Sequence, residues 1–345
     1  MAEGTFLLAD ISGYSRYLDE AGLAHASNIT AKLLNSLIDA NSKRWNVANL
    51  EGDAVFLVHA GRVPPGELVA FVRELYQAFF DRVLDVSQDT DCGCGACGGA
   101  NRLTVKFMVH AGRYEDRAIG GRRELIGPDV VIVHRLLKPE VDLPEYLLLT
   151  REYLRDAAIR ELPTSEGVLQ LDRPVPFVVA DLAPIRAAAE ARHAAFIERR
   201  RALRRAEVQV TADPDRVWDA LLDPAQQRRW TGASEVSHFP SRPGSVGTSY
   251  RWSLPDGHAF GQLLIAIDPD RRRLTFRRAD LPAVRYVYTT YEVDRQGGGS
   301  AVACSVSVAR RMPFSGRLLA GLERRHPAIA SGAALDRLKS HCERS

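Results

Sequence analysis

Between Pro184 and Arg205 the chain changes character: Ala, Arg and Glu dominate, aromatic residues thin out, and the charge balance reverses across the stretch. Residues 1–182 carry 19 Lys and Arg against 26 Asp and Glu, a balance of −7, whereas residues 183–345 carry 27 against 17, a balance of +10. At 345 residues the chain also exceeds the length at which a single hydrophobic core stops growing. These features predict two domains, 1–182 and 206–345, joined by an Arg-rich helical linker over 183–205. The clusters Arg199-Arg200-Arg201 and Arg204-Arg205 read either as a solvated helix face or as a surface turned toward the acidic half.

With 46% hydrophobic and 26% charged residues, the composition is that of an ordinary globular protein and excludes a disordered, collagenous or membrane-spanning chain. Apolar runs such as Val130–Val133 and Tyr146–Leu149 are far too short to cross a bilayer. The opening Met-Ala-Glu-Gly-Thr-Phe has no basic flank or long apolar segment of a secretory signal, so a cytoplasmic location is expected. Of the 46 basic residues 41 are Arg, but they are scattered rather than striped with aromatics, which speaks against nucleic-acid binding.

Apolar spacing predicts a strand at Thr5-Phe-Leu-Leu-Ala9 that stops at Asp10, then a helix through Ile29, Leu33, Leu34, Leu37 and Ile38. Trp45–Leu50 and Ala54–His59 read as a hairpin across Glu51-Gly52-Asp53. Glu67–Leu84 is an amphipathic helix, Leu103–His110 a strand, Asp129–Leu137 an apolar segment, and Tyr146–Thr150 and Val168–Ala180 further strand material. After the linker come a strand at 207–211, a helix capped by Asp213-Pro214, five strands between Thr248 and Val308, and a helical stretch from Phe314 to Cys342.

Asp10 and Asp53 each stand where a hydrophobic strand meets a turn. If those strands are neighbours, two carboxylates meet at one end of a sheet, which suits Mg²⁺ or Mn²⁺ completed by water and phosphate. The turn Ile11-Ser12-Gly13, opening a helix, offers backbone N–H groups to a phosphate. Cys92, Cys94 and Cys97 crowd into one glycine-rich loop, which is not a secreted disulfide framework. They read either as three thiolate ligands for Zn²⁺, with His110, His59 or another subunit supplying a fourth, or as reduced thiols. His110 is expected to be a structural hydrogen-bonding residue, and Cys304, in an apolar strand, plain core.

The blocks Phe6-Leu-Leu-Ala-Asp-Ile-Ser-Gly-Tyr14, Glu51-Gly-Asp-Ala-Val-Phe56, Val105-Lys-Phe-Met-Val-His-Ala-Gly112 and Ile126-Gly-Pro-Asp-Val130 through Arg135 resemble, in order and spacing, the class III nucleotidyl cyclase catalytic domain. The Cys loop and His134-Arg-Leu-Leu-Lys138 resemble an uncharacterised bacterial branch of such domains. The resemblance implies a ferredoxin-like sheet flanked by helices and a head-to-tail homodimer with nucleoside triphosphate sites at the interface. It places the metal-binding aspartates at Asp10 and Asp53 and the transition-state arginine at Arg135. It also marks departures: the ribose-orienting asparagine falls on Val131, and the two base-reading positions fall on Asn49 and Glu124. His134 offers a substitute hydrogen bond. The implied alternatives are an active cyclase or a degenerate nucleotide or metal sensor.

Glu207-Val-Gln-Val-Thr-Ala-Asp-Pro-Asp-Arg-Val-Trp218, Leu221-Leu-Asp-Pro-Ala225 and Arg229-Trp230, with a long terminal helix, resemble the START-like (SRPBCC, polyketide-cyclase-like) helix-grip domains. The implied fold class is α+β, a ferredoxin-like cyclase-type domain followed by a helix-grip domain. Trp252, Phe260, Phe276 and Tyr288 are expected to line a cavity for a hydrophobic small molecule, or else to fill the core. A ligand there is expected to regulate the first domain. A third option makes this half a polyketide cyclase or aromatase, which the absence of an acid–base pair weakens.

Overall fold

The computed structural model describes residues 1–21, 23–86, 99–138, 141–193, 196–239, 244–257, 259–278, 284–310 and 331–344. The chain forms two compact units, Met1–Val83 with Leu103–Ala189, and Leu84–Arg102 with Glu190–Ser345. No described helix is long and apolar enough to cross a membrane.

In the first unit β1 (Ala2–Ser12) leads through α1 (Tyr14–Ala21) and α2 (Leu23–Asn41) to the hairpin β2 (Asn46–Glu51) and β3 (Ala54–Ala60). Then α3 (Pro65–Val86) returns to β4 (Thr104–Ile119). The strand order β2-β3-β1-β4, with every one of these pairs antiparallel, is the ferredoxin-like arrangement. The sheet is extended beyond β4 by β6 (Tyr146–Thr150), β8 (Val175–Asp181) and β7 (Thr164–Leu169), with β6 parallel to β4. Phe6, Leu7, Leu8 and Ala9 are all fully buried, because both faces of this central strand are covered; hence the run is continuously apolar rather than alternating.

Beyond the sheet, β4 runs on into a hairpin with β5 (Arg122–Ile126), turned by Gly120 and Gly121, both at positive φ as a two-residue hairpin loop requires. Then α4 (Pro128–Arg135) lays Val130 and Val133 against Phe6, Leu8, Phe56 and Met108. A one-turn helix, α5 (Arg151–Leu154), is capped by Thr150, whose Oγ1 accepts from the Tyr153 N–H. Glu145 is buried and accepts from the Tyr76 hydroxyl at 2.6 Å and from Arg186 Nε at 2.6 Å and Nη2 at 3.0 Å, which pins the start of α6 (Ala183–His193) to the first unit.

Among the described residues of the expected helical linker, Ala183–His193 are helical. Arg199–Arg201 form a single 3₁₀ turn, and Arg204 and Arg205 already belong to β9 (Arg204–Val210). Helix-prone composition yields here to sheet pairing: Arg205 registers with Ser305, and its guanidinium donates to Ser305 Oγ at 3.0 Å and Glu292 at 2.8 Å.

The second unit continues with α7 (Pro214–Leu222) and α8 (Pro224–Thr231), each with Pro in its first turn and capped by an aspartate, Asp213 or Asp223. Six strands follow: β10 (Glu235–Phe239), β11 (Ser249–Ser253), β12 (Ala259–Asp268), β13 (Arg273–Arg278), β14 (Val284–Gln296) and β15 (Gly299–Arg310). They form an antiparallel sheet in sequence order, with β9 beside β15. The terminal α9 (Ser331–Glu343) presses Ala334, Leu335, Leu338 and Cys342 onto a core shared with Tyr250, Trp252, Phe276 and Tyr291. This is the helix-grip architecture, and the chain is α+β in both units. The remainder of the helical stretch expected from Phe314 lies outside the described residues.

Candidate functional site

Asp10 continues the row Phe6–Leu8 at the end of β1, where the apolar face gives way to polar side chains. Its cross-strand partners are Ala54 on β3 and Lys106 on β4, so alternation puts the Lys106 side chain on the same face. Lys106 Nζ lies 3.0 Å from Asp10 Oδ2, and the two side chains are only 20% and 14% exposed. Asp53 stands in the β2–β3 turn, where its carbonyl accepts from the Ile11 N–H at 3.3 Å, so that the two aspartate-bearing segments are stitched together.

Both carboxyls are harder to ionise than usual. Burial pushes Asp53 up to about 6, and the neighbouring Asp10 charge adds to the effect. Burial also raises Asp10, against the opposing pull of Lys106. Two half-buried carboxylates that repel each other form a site that gains by taking up a cation. The donor set, two hard carboxylates without soft ligands, fits Mg²⁺ or Mn²⁺ carrying water and phosphate.

Ile11 and Ser12 do not form the turn expected to hold a phosphate. Ile11 and Ser12 still belong to β1, paired with Val105 and Thr104 on β4, and the Ile11 N–H is engaged by the Asp53 carbonyl. The turn itself is Gly13, at φ +85°, whose carbonyl accepts from the Tyr17 N–H.

Around the aspartate pair, His134 Nδ1 lies 3.1 Å from Glu51 Oε2, and its ring meets Phe56 edge-on at 4.9 Å. This brings α4, which carries Arg135, beside the end of β2, next to the turn that carries Asp53. Arg135 is exposed at the end of the helix. Val131, one turn earlier, is 56% exposed, an apolar side chain facing outward. Asn49 sits at a register shift in β2, where its Oδ1 accepts from the Leu50 N–H, and Glu124 is exposed on β5 opposite Arg117. Asp129 is held over Gly112, accepting from the Arg113 N–H at 2.6 Å and lying 3.4 Å from His110 Nε2. His110 is buried, with Nδ1 2.8 Å from Thr150 Oγ1, and burial lowers its pKa.

Lys106, Glu51 and Asp129 did not stand out as site residues in the sequence. Lys106 was findable: sliding Val105–His110 antiparallel against Phe6–Ile11 puts it opposite Asp10. Glu51 meets His134 only through the tertiary fold.

In the second unit Trp252 stacks on Phe260 at 5.2 Å, and Phe276 meets Tyr250 and Tyr291 edge-on at 5.6 and 6.4 Å, all within the buried core. Tyr288 does not join them. It registers with Arg277 and Ser307, on the opposite sheet face from Phe276, and lies 6.2 Å from the Tyr286 ring. Trp252 Nε1 is buried without a hydrogen-bond partner. Cys304 is buried against Tyr291, and burial pushes its thiol up to about 12. Cys92, Cys94 and Cys97 lie outside the described residues, and no group of three or more His, Cys, Asp and Glu side chains gathers in metal-binding range among the described ones.

Comparison with known proteins follows the same division. Residues 30–146 match a family model described as a protein of unknown function (DUF2652), and residues 203–343 match one described as polyketide cyclase/dehydrase and lipid transport. An uncharacterized protein of Mycobacterium tuberculosis is 35% identical over 136 residues, 39% of this chain and 64% of that relative. Among solved structures, a bacterial light-regulated adenylyl cyclase is 12% identical at a TM-score of 0.40, covering 55% of this chain and 56% of its own. Protein MLL2253 from Mesorhizobium loti is 18% identical at a TM-score of 0.33, covering 41% of this chain and 97% of its own. The chain thus spans less than two thirds of the mycobacterial relative and of the light-regulated cyclase.

Proposed function

We propose that the first unit is a nucleoside triphosphate site of the class III cyclase type, and that it converts the triphosphate to a cyclic nucleotide and pyrophosphate at a homodimer interface. The observation that carries this reading is the meeting of Asp10 and Asp53 beside Lys106, two carboxyls kept reluctant to ionise by burial, with the Asp10 charge adding to the effect at Asp53. Asp10 and Asp53 would hold Mg²⁺ or Mn²⁺, which supplies charge neutralisation on the phosphates and eases deprotonation of a hydroxyl. In the reaction the ribose 3′-oxygen bonds to the α-phosphorus, the bond to the pyrophosphate oxygen breaks, and the hydroxyl proton passes to solvent. Arg135, exposed at the end of α4, would stabilise charge on the oxygens of a triphosphate held across the interface. Leu50, Ile126 and Val131, apolar and about half exposed, are the side chains that a second copy would cover.

The second unit is proposed to bind a hydrophobic small molecule on the sheet face that carries Trp252, Phe260 and Phe276, and to regulate the first through it. The match to the polyketide cyclase and lipid transport family supports that reading, and so does the unmet Trp252 Nε1–H, a buried donor that a ligand acceptor would satisfy.

Incubation with ATP, GTP, CTP or UTP and Mn²⁺ or Mg²⁺, with products read by mass spectrometry, tests the catalytic reading. A cyclic product that vanishes in Asp10→Ala and Asp53→Ala supports it. Val131 and Asn49 favour a second reading, a nucleotide or metal sensor without turnover. That reading gains if no product forms while metal-dependent nucleotide binding still raises the melting temperature.

A further inference from the structure

We propose that Lys106 is a built-in monovalent cation that limits the Asp10–Asp53 site to one divalent ion per chain. Carboxylate pairs that serve phosphoryl chemistry commonly clamp two divalent ions. Here one cation position beside Asp10 is already filled, because Lys106 Nζ lies 3.0 Å from Asp10 Oδ2. This inference rests on the nucleotide-site reading above.

The ammonium cannot easily be elsewhere. Asp10 and Lys106 are direct partners in a β1–β4 register that runs unbroken from Ala2 with Tyr114 to Ser12 with Thr104. Val105 and Phe107, on either side of Lys106, are completely buried. The lysine backbone is therefore fixed, and its side chain rises from the same face as the Asp10 carboxylate. Tyr146, buried at the start of β6 next to β4, covers the same sheet face.

Charge arithmetic then sets the ion count. The two carboxylates and the ammonium sum to minus one when all are ionised. One divalent ion makes the cluster plus one, a good match for a polyanionic phosphate. A second would make it plus three in a half-buried site, with the new ion forced against Lys106.

Mn²⁺ titration of the full chain, followed by the electron paramagnetic resonance signal of the free ion, tests this. Wild type is expected to bind one Mn²⁺ per chain. Lys106→Met is expected to bind a second, and to hold the first about tenfold or more tightly, since a like charge has been removed from the site. Lys106→Arg, which keeps the charge, is expected to match wild type. Binding by Lys106→Met alone would overturn the count of one, because Lys106 would then exclude the divalent ion altogether. Two ions in wild type, or an unchanged or weaker Lys106→Met, would overturn the proposal, as would a Lys106→Arg that behaves like Lys106→Met. If no variant binds Mn²⁺, with or without ATP, while all melt as folded proteins, the metal reading of Asp10 and Asp53 falls first and this proposal with it.

Discussion

Replacing Asp53 with asparagine should make the protein more stable, and only where the aspartate is ionised. Burial and the Asp10 charge raise the Asp53 carboxyl from its ordinary 3.8 to about 6. A carboxyl whose folded pKa is raised binds protons in the folded state that the unfolded chain has already released. Stability therefore falls as the pH rises from about 4 to about 6, and the full penalty stands above that window. A shift of this size, at about 1.4 kcal/mol for each tenfold change in proton affinity, sets a ceiling of ~3 kcal/mol. Asp53 is only half-buried, and solvent screening reduces the expected gain to about 1–1.5 kcal/mol. In a unit of this size that is a rise of roughly 3–5 °C in melting temperature. Thermal unfolding of wild type and Asp53→Asn at pH 4 and at pH 7.5 reads it directly: the curves should coincide at the lower pH and separate at the higher. Millimolar Mn²⁺ should then raise wild type and leave the variant unmoved. An Asp53→Asn that is less stable at pH 7.5, or that gains the same amount at both pH values, would refute the reasoning.

Three other outcomes follow from the same structure. Glu145→Ala strips the buried acceptor from Tyr76 and Arg186 and should lower stability by about 3 kcal/mol in urea unfolding, whereas Glu145→Gln should lower it less. Burial lowers the His110 pKa, so the unfolded chain takes up the proton first. That contribution is whole above pH ~6.5 and declines as the pH falls below it, and His110→Gln should flatten this acid slope in melts between pH 7 and 5. Val131→Asn restores a hydrogen-bonding side chain at an exposed helix position and should raise nucleotide turnover on the order of 10²-fold, read as cyclic product by mass spectrometry.

Most of the fold was legible because its signals are local. The turn residues Glu51-Gly52-Asp53 between two apolar runs fix the β2–β3 hairpin, and Asp213-Pro214 marks the start of α7 through a cap whose chemistry is contained in three residues. The linker misled for the opposite reason. Its Ala, Arg and Glu favour a helix when nothing else acts, but at its end Arg204 pairs with Val306 and Arg205 with Ser305 on β15, so the sheet edge claims these two residues for β9. Tyr288 was misplaced by residue type alone. Its position relative to Phe276 depends on the β13–β14 register, which composition does not encode.

The site itself divides along the same line. Asp10 and Asp53 could be named because each breaks an apolar strand, and a charged residue in that position needs a reason. Lys106 escaped because a lysine on a strand usually reads as solvent-facing. Only the cross-strand register turns it into the near neighbour of a buried carboxylate, and so into part of the site's charge. The pairing also accounts for why Asp10 is tolerated at all. A half-buried aspartate beside a second one destabilises the sheet, and the ammonium offsets part of that cost while no metal is bound. Two carboxylates kept for stability alone would be more stable as Asn. Two such carboxyls beside a single lysine fit the one-cation site proposed above.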